Sequence, residues 1–240
     1  MAVLEIKNII KQYKKRRVVD GISLKVETGS VVGLLGPNGA GKTTTFYSIA
    51  GFVHPDAGSV LLDGRDLTSL PIHKRAREGL SYLAQEASVF KKLTVRENVQ
   101  IVLETLGLTK KEILDRIAQL MADLRISHLA NNKAVSLSGG ERRRVEIMRA
   151  LATNPIFVLL DEPFAGIDPL SIADLQKIIS ELRDRGLGIL ISDHNVRETL
   201  AVCDYAYIVS NGKILAHGTA DEVISSEAAR KMYLGKNFSM

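Results

Sequence analysis

Gly36-Pro37-Asn38-Gly39-Ala40-Gly41-Lys42-Thr43 is a run whose residue types suit one task, the wrapping of a phosphate. Glycines let the chain curl until backbone N–H groups point at an anion, the lysine adds charge, and the threonine hydroxyl can ligate Mg²⁺, with Thr44 beside it. A second group is Phe157-Val158-Leu159-Leu160-Asp161-Glu162, four apolar residues that deliver two carboxylates. On a strand of an α/β sheet they would reach the C-terminal edge, where ligands bind. Asp161 is then the candidate holder of Mg²⁺, through water, and Glu162 the candidate base for an attacking water. A third is Leu137-Ser138-Gly139-Gly140-Glu141 at the start of a helical stretch, where N–H groups and the helix dipole suit a second anion.

These groups need elements to carry them. Alternation at Leu4, Ile6 and again at Ile22, Leu24, Val26 predicts two half-buried strands separated by the basic stretch Lys11 to Arg17. Residues 30–35 are almost continuously apolar, as in a strand covered on both faces, and a helix is predicted over 42–50 after the glycines. Short strands are expected over 59–62 and 79–83. From Thr94 to about Leu129 the apolar residues recur at helical spacing, with Thr109 and Glu112 as a capping box. The remainder alternates: strands over 156–160, 188–192, 205–209 and 213–216, helices over 171–182 and 196–202. The fold class is therefore α/β, a mostly parallel core sheet with an antiparallel β flank and a helical subdomain. The expected division is a core of 1–88 and 153–218, a helical subdomain of 89–152 and a C-terminal helical tail of 219–240.

Composition excludes several classes. With 45% apolar and 25% charged residues the chain can bury a core and is not disordered. Its longest apolar runs are far short of the ~18 residues of a membrane span. The N-terminus lacks the continuous apolar region of a secretory signal, so a cytoplasmic protein is expected. One cysteine, Cys203, forms no internal disulfide and reads as a small core residue. A net charge of +5 is too modest to choose a partner.

In the order Gly36 to Thr43, Gln85, Leu137 to Glu141, Asp161-Glu162, Asp168 and His194, the chain resembles the nucleotide-binding subunits of ATP-binding cassette (ABC) transporters over essentially its whole length. The resemblance implies an Mg²⁺-dependent ATPase with a RecA-like core, working as a homodimer whose two copies face head to tail and sandwich two ATP molecules. It assigns Gln85 to the loop that senses Mg²⁺ and the partner, and Ser138, Gly139 and Gly140 to the ATP held by the other copy. It assigns Asp168 to the dimer interface, His194 to the γ-phosphate and attacking water, and Tyr13 to stacking on adenine. Strings such as QEASVFKKLTV and DHNVRETLAVCDYAYIVSNGKILAHG are similar to the ATPases of lipopolysaccharide exporters. That branch implies two different transmembrane subunits as partners, a peripheral position on the cytoplasmic face of the inner membrane, no direct contact with the transported lipid, and no nucleic acid. The alternatives are the ATPase of a branched-chain amino acid importer and a soluble ABC ATPase acting on nucleic acid or ribosomes.

Phe90, on a predicted loop with Lys91 and Lys92, is either a wall of the groove for a membrane-subunit helix or a core residue. Ala84 stands where the family commonly has proline, which loosens the loop of Gln85, and Met148 where alanine is common. Arg142 to Arg144 read as a solvated face with an Arg142–Glu146 pair, while His54, His73, His128 and His217 match no site.

Overall fold

A computed structural model describes residues 1–235 and Phe238. In chain order the elements are β1 (Val3–Tyr13), β2 (Arg16–Glu27), β3 (Val31–Leu35), α1 (Lys42–Ala50), β4 (Ala57–Leu62), β5 (Arg65–Asp66), α2 (Ile72–Arg77) and β6 (Leu80–Leu83). Then come α3 (Val95–Glu104), α4 (Lys110–Asp123), α5 (Gly139–Leu151), β7 (Phe157–Asp161), α6 (Pro169–Asp184), β8 (Gly188–Ser192), α7 (Val196–Leu200), β9 (Tyr205–Ser210), β10 (Lys213–Gly218) and α8 (Ala220–Ser225). A short helix, Glu227–Ala229, and a π-helical turn, Arg230–Leu234, follow; residues 236, 237, 239 and 240 of the expected tail lie outside the described residues. Among those described, no helix is long and apolar enough to cross a membrane.

The strands form two sheets, a four-stranded one in the order β2-β1-β4-β5 and a six-stranded one in the order β10-β9-β3-β8-β7-β6. The first is antiparallel, and in the second only the β9–β10 pair is. All five residues of β3, β7 and β8 are buried, as parallel strands covered on both faces must be. Their period of two sorts the core. Val31, Val158, Leu160, Ile189 and Ile191 pack with α3 to α6, whereas Val32, Leu34, Phe157, Leu159 and Leu190 pack with α1 and the antiparallel sheet.

One sequence expectation changes. The basic stretch does not separate β1 from β2: it is their hairpin, with Gln12 opposite Arg17, Tyr13 opposite Arg16, and a turn at Lys14-Lys15. Strand pairing absorbs these residues because their long side chains stay in solvent along the ladder. The helical stretch from Thr94 breaks into α3 and α4 at Gly107, whose φ is +71°, and each helix restarts on a Thr–Glu capping box.

Arg75 on α2 anchors the helix that follows the phosphate loop. It is 1% exposed and donates to the carbonyls of Ser48 (2.7 Å) and Ile49 (2.6 Å) at the end of α1, and to Leu70 (2.8 Å) and Thr68 (2.8 Å). Burial pulls its pKa down to about 10, so it stays charged and every carbonyl it serves depends on it. Arg75→Ala is expected to cost on the order of 3 kcal/mol, because it strands these carbonyls and opens a cavity. The check is a urea unfolding curve, and a midpoint shift worth less than about 1 kcal/mol contradicts this role.

Candidate active site

The phosphate loop joins β3 to α1, and the structure explains its glycines. A Cβ at Gly36 would lie 2.1 Å from the Val209 carbonyl oxygen, and one at Gly41, where φ is +109°, would lie 2.5 Å from that of Val18. No larger residue fits at either position. Helices α3, α4, α5 and α8 each start on a Thr or Ser capped reciprocally by a Glu three residues on. Helix α1 has no side-chain cap and no acid in its first turn, so its N–H groups are left for a ligand. Lys42 is buried and its Nζ donates to the loop's own carbonyls at Gly36 (2.6 Å) and Pro37 (3.1 Å). Burial lowers its pKa, opposed by Glu162, Asp161 and Asp193.

The sheet brings four sequence-predicted residues to this loop. Asp161 closes β7, 2% exposed, with Oδ2 accepting from the Tyr82 hydroxyl at 3.1 Å. Burial raises its carboxyl to about 6, and the Tyr82 bond works in the opposite direction. The next residue, Glu162, has a left-handed φ of +46°. Its Oε2 accepts from Gln85 Nε2 at 2.9 Å and lies 3.3 Å from His194 Nδ1. Gln85 and His194, distant from each other in sequence, thus converge on one carboxylate oxygen of Glu162.

Mg²⁺ is implied by the sequence, and the donor set fits it. Thr43 hydroxyl, Gln85 amide oxygen and Asp161 carboxylate are hard oxygen donors. Among the described residues no group of three or more His, Cys, Asp or Glu could hold a metal by itself.

The third motif lies apart. Ser138 caps α5: its Oγ accepts the Glu141 N–H (3.3 Å) and its N–H donates to Glu141 Oε2 (2.8 Å). The Ser138 hydroxyl keeps its own proton to donate. Gly140 abuts Ser171, where a Cβ would lie 2.5 Å from Oγ, and Gly139 faces the Gly166 carbonyl. Among the described residues no hydrogen bond or ion pair joins Ser138–Glu141 to the phosphate loop. Asp168 caps α6 through the Ser171 N–H (3.0 Å), a bond that lowers its pKa. Tyr13 is 47% exposed at the hairpin end, with Lys11 Nζ 5.7 Å from its ring centroid.

Phe90 is 46% exposed, so its ring is not in the core, and Arg149 stacks over it at 4.8 Å. Its main chain is pinned instead, by Asn98 Oδ1 accepting the Phe90 N–H (2.9 Å) and Asn98 Nδ2 donating to the Phe90 carbonyl (3.1 Å). Cys203 packs against the core, and Met148 is fully buried within it.

The arginine run corrects the sequence reading. There is no Arg142–Glu146 pair; Glu146 instead pairs with Arg143 at 2.9 Å, and both are buried. Arg142 donates to the Leu137 carbonyl, and Arg144 pairs with Asp174. The reason is that position 143 shares a helix face with the buried Gly140 and Ile147, so its side chain points inward. There it donates to the carbonyls of Ala84 (2.9 Å) and Asp161 (2.8 Å), while Glu146 accepts the Ser88 N–H (2.9 Å). The loop of Gln85 is therefore fastened to α5 and β7, and alanine at 84 does not leave it loose. The spacing from Gly140 to Ile147 was the available signal. Tyr82 and Asp193 were also missed, although Asp193 directly precedes the predicted histidine.

The sequence profile described as ABC transporter matches residues 19–165. The chain is 56% identical to the lipopolysaccharide export system ATP-binding protein LptB of Escherichia coli (strain K12), and 54% identical to that of Haemophilus influenzae, each over 100% of both chains. Its fold is similar to the ADP conformation of an ATP-binding cassette of an ABC transporter, with a TM-score of 0.88 and 32% identity, covering 98% of this chain and 100% of that one.

Proposed function

Because the chain belongs to the ABC transporter family, we propose that it is the ATPase that powers lipopolysaccharide export, as the names of its full-length relatives say of them. It is an ATP-hydrolysing enzyme of the α/β class. The observation that carries the catalytic reading is the convergence of Gln85 and His194 on Glu162 Oε2, beside the loop that holds Lys42.

In this reading Lys42 exchanges its two loop carbonyls for the β- and γ-phosphate oxygens of ATP, and the free N–H groups at the start of α1 complete the cradle. Gly36 to Thr44 form that cradle, and Tyr13 stacks on the adenine. Thr43, Asp161 and Gln85 would hold Mg²⁺, which would supply charge neutralisation at the phosphates. Gln85 and His194 occupy Oε2 of Glu162, so Oε1 remains to take a proton from water. The water oxygen then bonds to the γ-phosphorus as the bond to the β–γ bridging oxygen breaks, and ADP and phosphate leave. The Gln85 hydrogen bond to Oε2, with His194 beside it, fixes the direction of the Glu162 carboxylate. Ser138, Gly139 and Gly140 serve the ATP of a second copy, with Asp168 at the interface between the two. The protein then sits on the cytoplasmic face of the inner membrane beneath two transmembrane subunits of the LptF and LptG type.

Phe90 supports the last step, since a half-exposed aromatic on a pinned loop is a suitable anchor for a partner helix. Phe90→Ala is expected to cost ~2 kcal/mol of partner binding, about a thirty-fold loss, and to spare the isolated subunit's ATPase. The measurement pairs basal turnover with copurification of the LptF- and LptG-type subunits from detergent extracts. Undiminished copurification removes Phe90 from the interface.

A further inference from the structure

The left-handed φ of +46° at Glu162 is a conformation that a side chain of this size rarely adopts, and it persists only where surrounding contacts impose it. Those contacts come from one neighbouring segment. The Ser192 carbonyl at the end of β8 accepts the Glu162 N–H at 2.6 Å, and Asp193 Oδ2 accepts the Phe164 N–H at 3.0 Å. The turn from Glu162 to Phe164 is thereby held at both ends. The second oxygen of the same carboxylate, Oδ1, accepts the Asn195 N–H at 2.8 Å and lies 3.4 Å from His194 Nδ1.

Asp193 is 0% exposed. A buried carboxylate is costly unless its oxygens are satisfied, and here the donors are main-chain N–H groups of two different loops. One loop carries Glu162 and the other carries His194. We propose that Asp193 is a positioning residue for hydrolysis, a clasp that holds the turn of Glu162 against the turn of His194 and sets their 3.3 Å spacing. The inference rests on the roles proposed above for those two residues. Asp193 touches neither the phosphate loop nor Gln85 by any hydrogen bond among the described residues. Its hydrogen bonds therefore act on the geometry of water activation, and it reaches the phosphate loop through its charge near Lys42 and not through a bond.

Asp193→Asn keeps the size but turns one acceptor oxygen into an NH₂ group, which faces an N–H whichever way the amide sits. One half of the clasp opens. Turnover is expected to fall roughly 10- to 100-fold, the effect of displacing a catalytic group by about an ångström. ATP affinity by calorimetry should stay within about two-fold, and amide hydrogen exchange should quicken at Phe164 or Asn195. Because groups acting as a unit are not additive, Asp193→Asn should slow Glu162→Gln by less than about two-fold further. Unchanged turnover overturns the proposal, and so does a full additional loss in the double variant. Should Asp193→Asn not accumulate as folded protein, Asn195→Pro is read instead, against Asn195→Ala as the control that keeps the main-chain donor: the φ of −80° suits the proline ring, and the donor to Oδ1 is lost. The proline variant should lose turnover and add nothing to His194→Ala; full turnover, or an additive loss, overturns the clasp. If Glu162→Gln and His194→Ala themselves retain turnover, the reading of the site has failed and not the clasp alone.

Discussion

Glu162→Gln is expected to slow ATP turnover by roughly 10² to 10⁴ while leaving ATP bound. The substitution replaces a carboxylate by an amide of the same shape, so the contacts to Gln85 and His194 can be kept in part, but no oxygen remains that can take a proton from water at neutral pH. The phosphate loop is untouched, since Lys42 donates to Gly36 and Pro37 and not to Glu162. ATP should therefore still bind and accumulate in a closed dimer that cannot complete its cycle. Steady-state turnover and size-exclusion chromatography with ATP check both halves of the expectation. A variant that turns over near the normal rate removes Glu162 from the role of base.

Two substitutions placed in different arrangements should differ as sharply. If Ser138 serves the ATP held by the Lys42 of a second copy, each site takes one residue from each subunit. A heterodimer with Lys42→Ala in one copy and Ser138→Arg in the other then concentrates both defects in one site and keeps the other whole. Putting both changes on one copy spoils both sites. The first arrangement is expected to hydrolyse ATP at least about ten-fold faster than the second, because losing one charge-stabilising donor alone costs ~10² or more. The observation behind this is that Ser138 to Glu141 make their contacts with each other and with the neighbouring Gly166 and Ser171, not with their own phosphate loop. Differently tagged copies, purified through both tags, supply the two heterodimers. The reverse order would show that each chain completes its own site, and equal rates would remove Ser138 from the ATP site altogether.

The candidate chemistry-bearing residues and the order of the elements are legible in the sequence alone. Gly36 to Thr43, Asp161-Glu162 and Ser138-Gly139-Gly140 are legible because phosphate wrapping, strand-end carboxylates and helix starts each demand particular residue types at fixed local spacing. The buried strands 31–35, 157–161 and 188–192 are legible for a similar reason, since a strand covered on both faces has no polar positions to confuse its period. Which distant groups meet depends on the packing of the whole chain. The hairpin through Lys11 to Arg17 looked like a loop because pairing across a sheet is not a local property. Arg143 looked solvated because a charged side chain is usually so, until the segment after β6 supplied the Ala84 carbonyl and the end of β7 the Asp161 carbonyl, beside Glu146 of its own helix. Asp193 was overlooked for the same cause: its two donors, Phe164 and Asn195, lie on separate turns that only the register of β7 beside β8 brings to one carboxylate.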